Sequence, residues 1–299
     1  MKLCTVEEML PEDFKIHESV GKGSNNRVVR VTWEGRECAM RLPRRGSDTQ
    51  QRESAKWEYL HTMHSSETGF GPQVYESWFS RHSTREWPSG LYMVMEYFDT
   101  DLDDLLHNRD MREEMMERSE EVGSSIVGLL DTVAKNGMIM YDLKASNLVV
   151  DMSRDDEVNV RLIDYGNDFC EWSTEETRKE IDCHTPVLDR VHKLCDSDPA
   201  LMHHIVFSVM FVQLSSTLTQ HLYKDRREHR MGHEERERIH PLRSLCEQHL
   251  ESMTGKNKSI LCDILRAEGI RAVLRHYHGR RWSGTKRTLE CACGEPGKE

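Results

Sequence analysis

Asp142, Lys144 and Asn147 stand close together in the run Tyr141-Asp142-Leu143-Lys144-Ala145-Ser146-Asn147, and Asp164 follows in Leu162-Ile163-Asp164-Tyr165-Gly166. Two carboxylates, a fixed cation and an amide on two short loops are the groups needed to hold two metal ions, a triphosphate and an acceptor hydroxyl together, which are the requirements of phosphoryl transfer. The chemistry works only if rigid elements hold these loops. The flanking runs supply them: Leu148 to Asp151 and Val158 to Ile163 read as short strands.

Upstream, the first hundred residues are rich in β-type runs: Phe14 to Val20, Arg27 to Trp33, Glu37 to Leu42, Val74 to Phe79 and Leu91 to Tyr97. A helical stretch from Gln50 to His64 interrupts them, with Trp57, Leu60 and Met63 near one face. After Asp99 the pattern changes. Leu102, Leu105 and Leu106 open a helical segment, and Glu113 to Lys135 carries Ile126, Leu129, Leu130 and Val133 on a 3.6-residue period. Between the first two strands lies Val20-Gly21-Lys22-Gly23-Ser24-Asn25-Asn26-Arg27-Val28. Such a glycine-rich turn lets backbone N–H groups approach phosphate oxygens with no Cβ in the way, although a plain hairpin turn explains the same letters.

Taken in order, these stretches resemble the eukaryotic-type, Ser/Thr protein kinases over most of the first half of the chain. The Gly-rich loop is similar to theirs, with Asn26 where the third glycine would stand. Cys38-Ala39-Met40-Arg41 resembles the Val-Ala-Ile-Lys strand, with arginine replacing the phosphate-contacting lysine. The resemblance implies Glu58 as the partner of Arg41, with Glu53 as the competing choice. It also implies nucleotide contacts from Val20, Gly21, Gly23, Val28 and Ala39. Leu91 to Tyr97 resembles the last small-lobe strand, which implies Met95 as gatekeeper and the backbone of Glu96 and Phe98 at the adenine edge. Tyr141 to Asn147 is similar to His-Arg-Asp-Leu-Lys-x-x-Asn. Asp142 would then accept or orient the proton of the acceptor hydroxyl, Lys144 would neutralise the moving phosphoryl group and Asn147 would bind a metal ion. Asp164-Tyr165-Gly166 resembles Asp-Phe-Gly, with Asp164 as the second metal ligand. The implied cofactors are ATP and Mg2+, with Mn2+ as the alternative ion.

Several positions depart from that pattern. An arginine is a planar fork, where a lysine is a compact ammonium, so Arg41 is not a conservative replacement at a crowded phosphate site. Lys22 is a candidate for supplying the missing cation. Met140 and Tyr141 replace His-Arg, and Tyr141 cannot grip an activation-loop phosphate, so activity is expected to be independent of phosphorylation at Ser173, Thr174 or Thr177. No Ala-Pro-Glu follows. Thr185-Pro186 falls near the expected place without the glutamate, and the apolar helix Met202 to Leu214 lacks the aspartate expected at its start.

Bulk properties fit a soluble globular protein of one large domain or two lobes. Of 299 residues, 37% are hydrophobic and 31% charged, and the formal charge is −11. Such a charge disfavours a general nucleic-acid binder. The mixed-charge run from Lys224 to Arg238 reads as a solvated face, and the basic, aromatic stretch from Arg275 to Arg287 has a local charge suited to nucleic acid or an acidic partner, against the acidic balance of the whole chain. No apolar run reaches the length of a membrane span and no signal segment is seen. Nine scattered cysteines read as free thiols in a reducing cytoplasm or nucleus. Neither Cys291 and Cys293 nor Cys183, His184, Cys195, His203 and His204 have zinc spacing.

The expected fold is α+β and two-lobed, protein-kinase-like: a β-rich N-lobe with one helix over 1–98, a mainly helical C-lobe over 99–290 and a tail over 291–299. The expected function is transfer of phosphate from ATP to Ser/Thr hydroxyls of a protein substrate. The alternatives are a pseudokinase that binds partner proteins in response to nucleotide, and a small-molecule kinase.

Overall fold

A computed structural model of the chain describes residues 2–22, 26–43, 49–108, 111, 114–115, 117–140, 143–154, 157–165, 170–172, 186–196, 198–228, 248–249 and 251–266. Two compact units emerge: Met1–Thr100 with Arg161–Asn167, and Asp101–Val160 with Asp168–Glu299. The family resemblance implied such a β-rich first part and helical second part. Among the described residues no helix is long and apolar enough to cross a membrane.

The first unit is built on a six-stranded sheet in the order β1-β5-β6-β4-β3-β2. Its strands are β1 (Lys2–Leu3), β2 (Lys15–Lys22), β3 (Asn26–Trp33), β4 (Arg36–Pro43), β5 (Val74–Ser80) and β6 (Gly90–Glu96), with helix α1 (Thr49–Thr68) between β4 and β5. Alternation sorts each strand into two faces. Val29, Val31 and Trp33 of β3, Cys38, Met40 and Leu42 of β4, and Tyr92 and Val94 of β6 form one buried core. Trp78 stacks on Tyr92 at 5.2 Å and on Trp33 at 5.8 Å, and Phe14 meets Trp33 edge-on. The segment before β2 covers this face, placing Val6 in the core with Met9 and Leu10 against it. The β3–β4 hairpin turns at Glu34 and Gly35, both with positive φ, and Asp13 accepts the Gly35 N–H at 2.5 Å.

Strand β1 was not foreseen. Two residues carry no readable period, and Lys2 and Leu3 pair in parallel with Trp78 and Phe79 of β5. The other strands of this sheet agree with the runs read from the sequence to within a few residues at each end.

In the second unit, α2 (Leu102–His107) is capped by Asp101, whose carboxylate accepts the Asp104 N–H at 2.9 Å. Helix α3 (Ser119–Lys135) buries Val122, Ile126, Leu129, Leu130 and Val133 and ends at Gly137, which supplies the left-handed turn that stops a helix (φ 70°). The chain then enters β8 (Met138–Met140). A three-stranded sheet of order β10-β9-β7 is made from β7 (Thr100–Asp101), β9 (Leu148–Arg154) and β10 (Glu157–Leu162).

Beyond these come β11 (Cys170–Trp172), α4 (Pro186–Leu194), α5 (Pro199–Glu228) and α6 (Gly255–Arg266). Strand β11 pairs antiparallel with β8, Cys170 opposite Met140. Asp131 of α3 ties to α5 through His203 Nε2 at 3.0 Å. Helix α5 corrects one expectation. It starts at Pro199 rather than Met202, and the Asp198 carboxylate accepts the N–H groups of Ala200 and Leu201 at 3.0 and 3.3 Å. An aspartate therefore does stand at its start. The buried run begins only at Ile205, whereas the capped first turn, Pro199 to Met202, is exposed or half-buried, so burial marks only the inner part of the helix.

Candidate functional site

In the first unit the site residues occupy the sheet face opposite the core. Residues directly opposite across a ladder share a face. Val28 faces Arg41, Arg41 faces Met93, and Ala39 faces Met95. Gly21 faces Val28, and a Cβ on it would come 3.4 Å from that of Val28. The period of two that puts Met40 and Val94 in the core thus puts Ala39, Arg41 and Met95 on the other side. Val20 is exposed near the end of β2.

Arg41 is 5% exposed, and Glu58 of α1 meets it. Its Nε donates to Glu58 Oε1 at 2.6 Å and its Nη2 to Glu58 Oε2, while Nη1 donates to the Leu91 carbonyl at 3.4 Å. Asn26, the first residue of β3, donates from Nδ2 to Glu58 Oε1 at 3.2 Å. One carboxylate therefore collects donors from the end of the Gly-rich turn and from β4. Such a two-point guanidinium–carboxylate pair fixes direction as well as charge. The sequence places Asn26 only where the third glycine of the loop would stand and carries no sign that its side chain holds Glu58. The side chain of Glu53, the competing partner, lies outside the described residues.

At the end of β6, the Glu96 N–H donates to the Gln73 carbonyl at 2.8 Å, and its carboxylate accepts the Gln73 N–H at 3.1 Å. Phe98 follows, half-buried. Asp164 also belongs to this unit, with an exposed side chain and φ of +68°. A non-glycine residue in the left-handed region is uncommon, aspartate tolerates it better than most, and such outliers cluster at functional sites. Beside it Tyr165 is buried, and the Leu162 N–H donates to the Phe70 carbonyl at 2.8 Å.

In the second unit the loop after β8 carries Lys144 and Asn147. Leu143, Ala145 and Leu148 are fully buried and act as apolar pegs, and Lys144 between the first two is half-exposed. A short 3₁₀ turn, Ala145–Asn147, closes with the Asn147 N–H on the Lys144 carbonyl at 3.0 Å. It sets Asn147 at 3% exposure. Glu171 of β11 is buried, and its carboxylate accepts the N–H groups of Val187 and Leu188 at 3.2 and 2.8 Å. It thereby caps α4, which opens on Pro186.

Asp142, Tyr141, Gly23 and Gly166 lie outside the described residues, as do the side chain of Lys22, the residues Ser173, Thr174, Thr177, Cys183, His184 and Thr185, and everything beyond Arg266. Among the described residues no group of three or more His, Cys, Asp or Glu side chains is placed to hold a metal ion.

A family model described as protein kinase domain matches residues 14–187, more than half of the 299-residue chain. Comparison with curated proteins finds no match.

Proposed function

This chain belongs to the protein kinase domain family, and we propose that it transfers the γ-phosphoryl group of ATP to Ser/Thr hydroxyls of a protein, with magnesium as the assisting ion. The family match supports kinase-like phosphotransfer with ATP at the coarse level. The acceptor and the ion are the finer part of this reading. One observation carries it: the cation of β4 and the carboxylate of α1, Arg41 and Glu58, are paired on the sheet face opposite the core. In this family the corresponding pair, a strand lysine with a helix glutamate, is a required part of the transfer site, and here arginine takes the lysine's place.

Asp164 brings a carboxylate and Asn147 an amide oxygen, both hard donors that fit magnesium. When bound, the ion supplies neutralisation of phosphate charge. In this reading Arg41 contributes positive charge toward the phosphates, and Val20, Gly21, Gly23, Val28 and Ala39 flank the nucleotide. The backbone of Glu96 and Phe98 meets the adenine edge. Asp142 orients the acceptor hydroxyl and takes its proton, and Lys144 offsets charge on the moving phosphoryl. The bond from the γ-phosphorus to the β–γ bridging oxygen breaks, a bond to the acceptor oxygen forms, and ADP leaves.

A second reading, a nucleotide-responsive binding module without transfer, is favoured by one observation. Two of Arg41's donors engage Glu58 and a third engages the Leu91 carbonyl, which leaves less of the fork for phosphate. Single-turnover transfer from γ-labelled ATP separates the two, with wild type beside Asp142→Asn and Asp164→Asn. Label reaching a Ser/Thr protein acceptor in wild type and in neither variant supports the kinase. No transfer, with ATP still stabilising the fold, supports the binding module.

A further inference from the structure

The structure assigns Tyr165 a positioning role: its phenolic hydroxyl holds Asp164 in the left-handed backbone conformation by bonding across the turn to the Leu162 carbonyl. Asp164 sits at φ +68° between the two bonded residues. Tyr165 Oη donates to the Leu162 carbonyl at 2.5 Å, so the bond spans the residues that set Asp164's orientation. The ring is 2% exposed. In so dry a place a hydroxyl with no acceptor would be costly, and one with an acceptor resists being withdrawn.

The surroundings are built around that hydroxyl. A Cβ added to Gly71 would lie 2.7 Å from Tyr165 Oη and 2.3 Å from Ser65 Oγ, so the absence of a side chain there makes room for both oxygens. Gly71 is fixed in turn. Its N–H and that of Phe70 both donate to the Ser65 carbonyl at the end of α1, at 2.9 and 3.0 Å. Phe70 returns its own carbonyl to the Leu162 N–H at 2.8 Å. Leu162 is thus held on its N–H by Phe70 and on its carbonyl by Tyr165, and the turn that follows has little freedom. A phenylalanine would fill the ring's place and leave that carbonyl without this donor. The hydroxyl is therefore more than a tolerated extra atom. The consequence for a divalent cation at the Asp164 carboxylate rests on the proposed function, whereas the pinned turn does not.

The test compares wild type with Tyr165→Phe in two measurements. The first is amide hydrogen exchange at Asp164 and Tyr165 in the ligand-free protein, with β3 and β4 amides as internal reference. Exchange about 5- to 10-fold faster in Tyr165→Phe, with the reference unchanged, is expected for the loss of one buried hydrogen bond. Exchange within twofold of wild type overturns the proposal. The second is Mn2+ affinity in the presence of ADP, read by paramagnetic resonance, beside ADP affinity without metal. A several-fold weaker Mn2+ affinity at unchanged metal-free ADP affinity supports the positioning role, and unchanged Mn2+ affinity overturns it. If the turn loosens but wild type itself binds no Mn2+, the pin stands and it is the cation role of Asp164 that fails.

Discussion

Arg41 and Glu58 are joined at two points, Nε to Oε1 at 2.6 Å and Nη2 to Oε2, with both side chains largely withdrawn from water. The pair ties α1 to β4, and through the Leu91 carbonyl the same guanidinium reaches β6. Arginine at this position therefore ties three elements together on the sheet face opposite the core.

Removing the guanidinium should cost more than its share of catalysis. Arg41→Met leaves Glu58 partly buried without its counter-ion, and about 2–4 kcal/mol of unfolding free energy is expected to go with it. Arg41→Lys keeps the charge but replaces two aligned donors by one ammonium, so a loss of about 1 kcal/mol is expected. Denaturant unfolding of both variants measures this. Arg41→Met/Glu58→Leu should recover part of the Arg41→Met deficit, and a fully additive double variant would contradict the coupling.

Asn26 supports the same carboxylate from the Gly-rich turn, at 3.2 Å. Asn26→Asp sets a second carboxylate against Glu58, and nucleotide affinity is expected to fall about 10-fold through repulsion transmitted to the Arg41 pair. Asn26→Gly, which installs the family's usual residue, removes the bond without adding charge and should weaken binding only about 3- to 5-fold. Calorimetric titration with ADP gives both values. The reverse order would show that loop flexibility, rather than the Glu58 contact, sets the affinity.

Much of this arrangement was legible in the letters because it repeats a short period. Val29, Val31 and Trp33 alternate inward, and once Met40 is in the core Arg41 must be on the other face. Glu58 over Glu53 could be argued only by likeness, since both are helix glutamates, and the contact itself needed coordinates. Long-range polar contacts left no trace at all. Glu171 caps a helix whose first N–H groups are sixteen and seventeen residues away, and β11 is three residues with no period. One signal is present in the letters: Pro186 opens α4, and a proline with its fixed φ is a mark of a first helical turn whether or not a glutamate follows it.

His61 should make the fold acid-sensitive. It is fully buried on α1, edge-on to Trp57 at 4.6 Å, and burial pushes its imidazole down to about 4, with neighbouring His64 acting the same way and a backbone hydrogen bond with Tyr165 opposing. Burial likewise holds His64 down at about 4. Between about 4 and 6.5 the unfolded chain binds protons that the folded one does not, so stability is complete above 6.5 and falls as the pH drops toward 4. The His61 share is at most about 3 kcal/mol. Denaturant unfolding at pH 7 and pH 4.5 should show the loss. In His61→Gln the slope should be shallower, and an unchanged slope would assign the sensitivity elsewhere.

Glu171 is expected to hold α4 more firmly than a local cap would. Its carboxylate accepts two N–H groups in the first turn while 1% exposed, so the charge is buried against the positive end of the helix. Glu171→Ala leaves both donors without this acceptor in a dry setting, and a loss of about 2 kcal/mol is expected, above the usual cost of an N-cap deletion because water cannot replace the carboxylate. Glu171→Gln retains one acceptor oxygen and should lose about half as much. Hydrogen exchange separates local from global effects. Val187 and Leu188 amides should exchange at least 10-fold faster in Glu171→Ala, while α3 amides follow only the change in global stability. Equal acceleration in both helices would mean that Glu171 stabilises the unit as a whole and that α4 has no special dependence on it.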